Sequence, residues 1–471
     1  MKTFRNWLAT ACIMLASVTT ISCTQNGNGN GSADKEPEPE IEVPKEFTEF
    51  FSTYLKGKTK TCTTSTPIEL SAVEESRALV WEAWKQANKS LNEEKLIPLE
   101  ALSAKKSGSW HLPAELEPNA TMNYYWGSKG EGRPEEGYPL FLYTHGSGHK
   151  DREWETGWTI CQRFDDAPSV YFIPQIPNMG DYYRWWQKAK QFAWEKLLRQ
   201  AFVSDIVNPD RVYVFGISEG GYGSQRLASF YADYWAGAGP MAGGEPLNNA
   251  PVENCRNIAF SLLTGAEDDG FCRNDLTARI KEEFDSWESK YPGQFKHRIE
   301  LIPGRGHGID YNPTTPWLKV NTRNPYPKNI SWENFEMDGQ YRDGFYNLYV
   351  LERSNPNYDS RTYYEMDIHD NQITISVQLV TYEAVERDPR WGIPLRFKKN
   401  LVNAETGKFL VYLSPELVDM SKPVIVNVNG KLCYNGMVEP DLMHMLNSCA
   451  HYFDPRRVYP AAVEVDLKAL Q

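Results

Sequence analysis

The chain has 471 residues, which is long enough for two or three packed units. Hydrophobic residues make up 41% and charged residues 24%, as in an ordinary globular protein. The formal net charge is −12, from 50 basic and 62 acidic residues, and the sequence has no long basic run. Nucleic-acid binding is therefore not expected, because neutralising phosphates requires a clustered positive face.

The first 22 residues have the pattern of a secretory signal peptide. Lys2 and Arg5 provide a basic end, and residues 7–21 form an apolar stretch of suitable length. Cys23 follows Ser22 in a sequence that resembles a bacterial lipobox, in which cleavage leaves the cysteine as the acylated first residue. We therefore expect an exported protein that is attached to a bacterial membrane, at the outer membrane or the periplasmic face, through a lipid on Cys23. The alternative is an ordinary signal peptide that contains a cysteine.

Two segments separate this leader from the rest of the chain. Residues 23–45 are rich in Asn and Gly and then alternate Glu with Pro, a composition that cannot bury a core and is typical of a flexible tether. Residues 46–120 are predicted to be a helical segment, because Leu79, Trp84 and Ala87 fall near helical spacing. No later run is apolar and long enough to span a bilayer.

From residue 121 to residue 325, short apolar runs alternate with helix-like stretches. Buried strands that alternate with helices predict a doubly wound, mostly parallel α/β sheet with both faces covered. The predicted strands are residues 122–126, 139–144, 169–173, 212–215, 257–263 and 297–302.

After about residue 325 the helical patterns nearly stop. Residues 372–377, 409–413 and 424–428 are strand-like, and the last of these leads into Asn429-Gly430, a strong hairpin signal. Residues 326–471 are therefore predicted to be a separate antiparallel β domain, either a sandwich or a barrel.

The most informative motif is G-x-S-x-G at residues 216–220. It follows an apolar strand-like run, residues 211–215, and precedes a helix-like start at residue 221. This context predicts a nucleophile elbow, in which Ser218 is exposed on a sharp turn and glycine is needed on both sides. A Gly/Ser turn without catalytic function is the alternative.

Two later loops supply the partners that such a serine needs. Residues 264–269 follow a predicted strand and contain Asp268, while His307 lies among glycines after the last predicted strand. His307 is expected to take the proton of Ser218 and return it to the leaving group, and Asp268 to orient the imidazole. Asp269 is the alternative acid, and Asp310 is expected to be structural.

An oxyanion hole requires two backbone N–H groups. One is expected from Glu219, directly after the nucleophile, and the other from Gly146 or Ser147 in the H-G-x-G loop after strand 139–144. His145 is then expected to be structural, and His149 a solvated loop residue. Aromatic residues flank this loop and the third strand, and they either line a substrate pocket or pack helices on the sheet: Trp154, Trp158, Tyr182, Tyr183, Trp185 and Trp186.

Residues 121–317 resemble the α/β-hydrolase superfamily on these three ordered motifs. Residues 211–244 are similar to its bacterial carboxylesterase, dienelactone hydrolase and prolyl-oligopeptidase-like branches, although dienelactone hydrolases carry a cysteine where this chain has Ser218. The resemblance implies a serine hydrolase that cleaves carboxylic esters. Acylated carbohydrates are one candidate substrate class, by association, because a surface-tethered lipoprotein is well placed to process oligosaccharides. A serine peptidase of the prolyl-oligopeptidase type is an alternative, but its large propeller does not fit the short segment before residue 121. A non-catalytic binding lipoprotein is a further alternative.

Neither a metal nor an organic cofactor is expected. The sequence contains no C-x-x-C and no H-E-x-x-H. Besides Cys12 and Cys23 it has six cysteines, which an exported protein could oxidise. Cys255 with Cys272 and Cys433 with Cys449 are possible disulfides, but spacing does not fix the connectivity.

Overall fold

The computed structural model describes residues 42–354 and 360–470. The predicted signal peptide, most of the predicted tether and the lipidation site Cys23 lie outside the described residues. Among the described helices, none combines the length and apolar character needed to cross a membrane.

The described chain begins with two helices and continues into a nine-stranded sheet. The helices are α1 (Lys45–Leu55) and α2 (Val73–Ser90). The strands of the first sheet are β1 (Glu100–Ala101), β2 (Ser107–His111), β3 (Thr121–Lys129), β4 (Tyr138–Thr144), β5 (Ser169–Pro174), β6 (Val207–Ile217), β7 (Gly237–Met241), β8 (Ala259–Gly265) and β9 (His297–Ile302).

This sheet has the order β1-β3-β5-β4-β6-β7-β8-β9, with β2 paired to β3. Strand β3 runs antiparallel to β5, and every pair from β5 through β9 is parallel. The helices around the sheet are α3 (Lys150–Arg163), α4 (Lys188–Val203), α5 (Glu219–Phe230), α6 (Arg273–Lys290) and α7 (Thr314–Lys319). The predicted doubly wound, mostly parallel sheet is confirmed.

Both faces of the sheet are buried, as the near-continuous apolar strands require. In β4, Leu140 and Leu142 belong to one core cluster while Phe141 and Tyr143 belong to another. Successive side chains of a strand point to opposite faces, so the two clusters lie on the two sides of the sheet. The parallel strands therefore end together at one edge of a fully covered sheet, where ligand crevices form.

The rest of the chain forms two smaller sheets. Their strands are β10 (Asn329–Asn334), β11 (Gly344–Phe345), β12 (Leu348–Glu352), β13 (Arg361–His369), β14 (Gln372–Arg387), β15 (Pro394–Asn403), β16 (Lys408–Leu413), β17 (Val424–Val428), β18 (Lys431–Gly436) and β19 (Ala461–Asp466). One sheet has the order β10-β13-β14-β17-β18 with β15 paired to β14, and the other has the order β11-β12-β16-β19. All of these pairs are antiparallel except β14 with β17.

The two smaller sheets pack against each other as a sandwich. Phe345 stacks on Trp332 at 5.2 Å between ring centroids, and Phe409 meets Tyr364 edge-on at 5.4 Å. This confirms the predicted antiparallel β structure after the α/β sheet, and the two facing sheets favour the sandwich over the barrel.

Three strands and one helix differ from the sequence-based expectation. Strand β7 is not among the predicted strands, because its residues Gly237–Met241 form no run of large apolar or β-branched side chains. Strands β1 and β2 fall inside the segment predicted to be helical. The sequence of β2 gives little strand signal, because this short edge strand buries only Trp110 and shows almost no alternation of apolar and polar residues. A helix, α8 (Leu442–Tyr452), occurs in the region predicted to be all β. Helices α1 and α2 pack on α8, and the N–H of Ile68 donates to the carbonyl of Pro440 over 2.9 Å.

A buried ion-pair network joins the α/β sheet to the C-terminal part. Arg323 pairs with Asp210 at 2.9 Å and with Asp454 at 2.7 Å. Arg457 pairs with Asp454 and with Asp233, which follows helix α5, and the side chains of Arg323, Arg457, Asp454 and Asp233 are fully buried. Charges at this depth require partners, so the network ties the two parts of the chain together.

The six cysteines of the described residues are all free thiols. Neither of the two pairs considered from the sequence is bridged in the structure.

Candidate active site

The predicted nucleophile lies at a sharp turn between β6 and α5. Ser218 has φ +57° and ψ −114°, a conformation that non-glycine residues rarely adopt. Its N–H donates to the carbonyl of Met241 on the neighbouring strand β7 over 2.9 Å. This hydrogen bond to the sheet fixes the turn, and the serine side chain lies at the carboxyl edge of the sheet.

The glycines of the motif are required by close backbone contacts. A Cβ on Gly220 would lie 1.9 Å from the carbonyl oxygen of Thr144, and one on Gly216 would lie 2.4 Å from the carbonyl oxygen of Gly220. The Thr144 hydroxyl donates to the carbonyl of Gly220 over 2.8 Å and so links strand β4 to the first turn of α5. No side chain larger than hydrogen fits at either position without moving the backbone.

The structure brings Ser218, His307 and Asp268 together. Nε2 of His307 is 3.0 Å from Oγ of Ser218, and Nδ1 of His307 is 2.7 Å from Oδ2 of Asp268. The Asp268 side chain is only 3% exposed, whereas that of His307 is 46% exposed. The imidazole thus bridges a buried carboxylate and a hydroxyl that solvent can reach, which is the geometry that removes a proton from a serine.

Asp268 has a second partner that sequence reasoning missed. The guanidinium of Arg273 donates to both carboxylate oxygens over 2.9 Å from Nε, and its terminal nitrogen lies 2.8 Å away. Burial alone would raise the pKa of Asp268, but the hydrogen bonds and charges of Arg273 and His307 outweigh it and lower the pKa. The carboxylate is therefore held ionised and fixed in orientation.

The neighbouring carboxylates do not share this position. The side chain of Asp269 is 81% exposed, and its nearest cation is Arg390 at 3.7 Å. Asp310 accepts the N–H of Asn312 over 3.0 Å and so caps a local turn. Of the two adjacent carboxylates, Asp268 is therefore the one in contact with His307.

The predicted oxyanion donors lie on both sides of the serine. Glu219 is the first residue of α5, where helix geometry leaves the backbone N–H without an internal partner. A Cβ on Gly146 would lie 3.6 Å from Cβ of Ser218, so the H-G-x-G loop touches the nucleophile, and the next residue, Ser147, is exposed. The residues that carry both predicted N–H donors therefore lie next to Ser218 in the structure.

His145 and Tyr183 hold this loop in place. Nδ1 of the buried His145 is 2.8 Å from the carbonyl of Gly146, and Nε2 accepts the N–H of Ile176 over 3.1 Å. Burial lowers the pKa of His145 to about 4, so the ring is neutral. The Tyr183 hydroxyl donates to the same carbonyl over 2.7 Å. The expected structural place of His145 matches these contacts, and His149 is largely exposed.

Most of the aromatic residues around the site pack rather than face a ligand. Trp154 stacks on Tyr125 at 4.1 Å and donates to the carbonyl of Ile173, and Trp185 is fully buried. Tyr182 is exposed, and Trp186 lines a pocket beside the elbow. Within the described residues, no group of three or more His, Cys, Asp or Glu side chains is arranged to hold a metal.

No protein-family model matches the chain, and no curated protein matches it either. Among solved structures, the chain is similar to a thermostable esterase, with 18% identity over 46% of this chain and 63% of that one, at a TM-score of 0.35. The chain therefore spans less than two thirds of that esterase.

Two further solved structures show comparable likeness. One is a ferulic acid esterase of the anaerobic fungus Anaeromyces mucronatus, with 12% identity over 46% of this chain and 89% of that one, at a TM-score of 0.34. The other is a fluorophosphonate-binding serine hydrolase of Staphylococcus aureus, with 12% identity over 46% of this chain and 98% of that one, at a TM-score of 0.33. The strand order, the nucleophile elbow and the chain order of serine, acid and histidine, rather than these distant likenesses, show that the chain has the fold of the α/β-hydrolase superfamily with a serine in the nucleophile position.

Proposed function

We propose that the chain is a serine hydrolase that cleaves carboxylic esters through an acyl-enzyme, with acylated carbohydrates as its substrates. The observation that carries the proposal is the contact chain from Ser218 to His307 to Asp268, at 3.0 Å and 2.7 Å. An open hydroxyl in line with an oriented imidazole has the chemistry of acyl transfer.

In the proposed reaction, His307 Nε2 takes the proton of Ser218 as Oγ attacks the ester carbonyl carbon. The carbonyl oxygen becomes negatively charged and accepts hydrogen bonds from the N–H of Glu219 and from Gly146 or Ser147. Collapse breaks the bond to the alcohol oxygen, and His307 gives that oxygen the proton. Water then attacks the acyl-serine with the same help from His307, which releases the acid and restores the Ser218 hydroxyl.

Labelling with a fluorophosphonate probe tests whether the serine is active. We expect the wild-type chain to react and Ser218→Ala not to react, while circular dichroism and the melting temperature stay the same because Ser218 lies at an elbow rather than in the core. Turnover of p-nitrophenyl acetate should fall by about 10³-fold or more in Ser218→Ala. A wild-type chain that neither reacts nor turns over the ester would refute the proposal and favour the non-catalytic alternative.

The peptidase alternative needs a separate measurement. Residues 42–120 contain helices α1 and α2 and the short strands β1 and β2. These elements do not form the four-stranded blades of which a propeller is built. We expect an aminoacyl p-nitroanilide to be a far poorer substrate than p-nitrophenyl acetate. Efficient cleavage of the anilide with negligible ester turnover would show that a peptidase is the better description.

The lipid anchor on Cys23 and the exported location stay part of the proposal, supported by the sequence pattern alone. Metabolic labelling with an alkyne fatty acid in a bacterial host is the test. Wild-type chain should incorporate the label and Cys23→Ala should not, and equal labelling of both would rule out Cys23 as the acylated residue.

A further inference from the structure

A pocket of about 420 Å³ opens beside the nucleophile elbow. Glu219, directly after Ser218, and Tyr222, one turn further along α5, form part of its lining. The pocket is therefore close enough to the serine to receive one part of a bound ester. Its size is that of a small ligand group rather than of an extended chain.

One wall of the pocket comes from the β sandwich. Strands β14 and β15 form a long hairpin whose end carries Ile393 and Pro394, and both of these residues line the pocket. Ile393 packs with Leu395 against Cys272 and Leu276 at the start of α6. The hairpin thus reaches back over the α/β sheet and closes a site that the first part of the chain leaves open.

The hairpin end is held in one conformation. The carboxylate of Asp388 accepts the N–H of Arg390 over 3.0 Å and the N–H of Trp391 over 2.6 Å. Trp391 then contacts Phe271, with ring centroids 4.5 Å apart, at the rim of the pocket. The hydrogen bonds of Asp388 and the contact of Trp391 with Phe271 both hold the turn, so this wall of the pocket has a defined shape.

One acidic side chain of the mainly apolar pocket lining, Glu219, has hydrogen-bonding capacity that no group in the described part of the chain uses. Glu219 is only 9% exposed, and among the described residues its Oε1 has no hydrogen-bond partner. The nearest cation is Arg184 at 3.7 Å, which is beyond hydrogen-bond distance. Burial raises the pKa of Glu219 to about 7, so near neutral pH this carboxyl can either donate or accept a hydrogen bond.

The remaining charges of the pocket are already paired. Arg226 binds Glu245 through two hydrogen bonds, of 2.7 Å and 3.0 Å, and lies over the ring of Trp186 at 3.9 Å. An aliphatic acyl chain in this pocket would cover the Glu219 carboxyl without offering it a hydrogen bond, which is costly. A group with several hydroxyls can hydrogen-bond to the part of this side chain that faces the pocket, since the side chain is 11% exposed and lines it, and the apolar walls suit the C–H faces of a sugar ring.

We propose that this pocket binds a hydroxyl-bearing sugar unit of the substrate and that the β14–β15 hairpin sets the selectivity for it. The inference rests on the proposed ester hydrolysis and gives the β sandwich a role in substrate selection. Ile393 and Pro394 form the wall against the sugar, and the Glu219 side chain is the hydrogen-bonding group of the lining.

Binding to an inactive chain tests the pocket without relying on turnover. The probe is a mono-O-acetylated methyl glycoside, titrated by calorimetry into Ser218→Ala. Adding Ile393→Trp, which fills the pocket from the hairpin wall, should weaken binding by about tenfold or more. Val402→Trp is the matched control, because Val402 lies on the same hairpin but is 62% exposed and away from the pocket. The control should bind as Ser218→Ala does.

The same substitutions in the active chain separate the pocket from the chemistry. Ile393→Trp should lower kcat/KM for the acetylated glycoside about tenfold more than for p-nitrophenyl acetate, since both esters share the acetyl group. Glu219→Leu, which keeps the backbone N–H, should shift the same ratio in the same direction. If p-nitrophenyl octanoate is instead the ester that Ile393→Trp impairs, the pocket holds the acyl chain and the inference is wrong.

Three results would each overturn either the sugar pocket or the proposed ester hydrolysis. Binding of the glycoside that is equal in Ser218→Ala with and without Ile393→Trp rules out the sugar pocket even if esters are cleaved. Binding that depends on Ile393, in a chain that cleaves no ester, supports the pocket and rejects the proposed reaction. Pocket-dependent binding of an aminoacyl amide in place of the glycoside would reject the sugar as ligand.

Discussion

The buried carboxyl of Glu219 makes the stability of the fold depend on pH in a direction opposite to that of most acidic residues. Its pKa is about 7 in the folded chain and 4.5 when unperturbed, mainly because burial disfavours the charged form. Between these two pH values the folded chain holds one more proton than the unfolded chain. Raising the pH through this window therefore destabilises the fold, and the effect is nearly complete by about pH 8.

The size of the effect follows from the two pKa values. Their difference, 7 − 4.5, corresponds to about 3 kcal/mol at about 1.4 kcal/mol for each pKa unit. In Glu219→Gln the side chain no longer titrates, so the variant escapes this loss. The free energy of unfolding of the variant minus that of wild type should rise by about 2.5 kcal/mol from about pH 5 to about pH 8.5. Contributions of the amide that do not depend on pH cancel in this comparison.

The assay is urea unfolding followed by tryptophan fluorescence at the two pH values. Glu135→Gln is the control for removing one carboxylate, because Glu135 is exposed on the loop before β4. Its difference from wild type should be the same at both pH values. A difference for Glu219→Gln that does not change with pH, or that shrinks as the pH rises, would refute the reasoning.

Three further outcomes follow from the site. Asp268→Asn should lower kcat/KM by about 10³-fold to 10⁴-fold while Asp269→Asn changes it little, and equal losses would show that the wrong carboxylate has been chosen. Arg273→Met removes the cation that lowers the pKa of Asp268, so that pKa should rise and the acid side of the pH–rate profile should move to higher pH, with activity near pH 5 reduced roughly tenfold. An unmoved acid limb would contradict this. Gly220→Ala should destabilise the fold by about 3 kcal/mol or more in thermal unfolding, because its Cβ meets the Thr144 carbonyl at 1.9 Å. Gly308→Ala is the control, since a Cβ there meets no atom within 4 Å, and equal shifts in the two variants would contradict the steric argument.

The parts of the fold that the sequence predicts are those with local signals. Strands β3 to β6, β8 and β9 are recognisable from their apolar runs, and the elbow is recognisable because strand, glycine turn and helix follow one another within a few residues. Strand β7 has no such run and is not predicted. The loops that carry Asp268 and His307 follow such strands and could be located in the same way. Their catalytic roles, and those of the oxyanion donors, remain predictions.

The features that the sequence did not show, which are the pocket wall, the second partner of Asp268 and the burial of Glu219, depend on tertiary packing. Ile393 lies 175 positions after Ser218, and its position at the pocket follows only from how the β14–β15 hairpin packs on α6. Arg273 is close to Asp268 in sequence, but nothing local distinguishes it from other basic residues at the start of a helix. The burial of the Glu219 side chain likewise follows from tertiary packing.

Helix α8 is a different case, because its signal is present in the sequence. Asp441 caps the helix by accepting the N–H of Met443 over 2.7 Å, and Leu442, Met445, Leu446 and Cys449 have helical spacing. The surrounding strand patterns obscured it. A helix of three turns within a β-rich region is easily overlooked when regions are judged by their average pattern.

The buried ion pairs between Asp210, Asp233, Arg323, Asp454 and Arg457 bear on how the molecule can be dissected. Asp233 belongs to the α/β part, yet one of its arginine partners, Arg457, is contributed from near the other end of the described chain. Truncation at residue 325 would leave the Asp233 carboxylate buried without Arg457. This should lower the free energy of unfolding by about 3–5 kcal/mol from this site alone. We therefore expect the α/β sheet and the sandwich to fold as one unit, so a chain truncated at residue 325 should misfold rather than simply lose the sandwich.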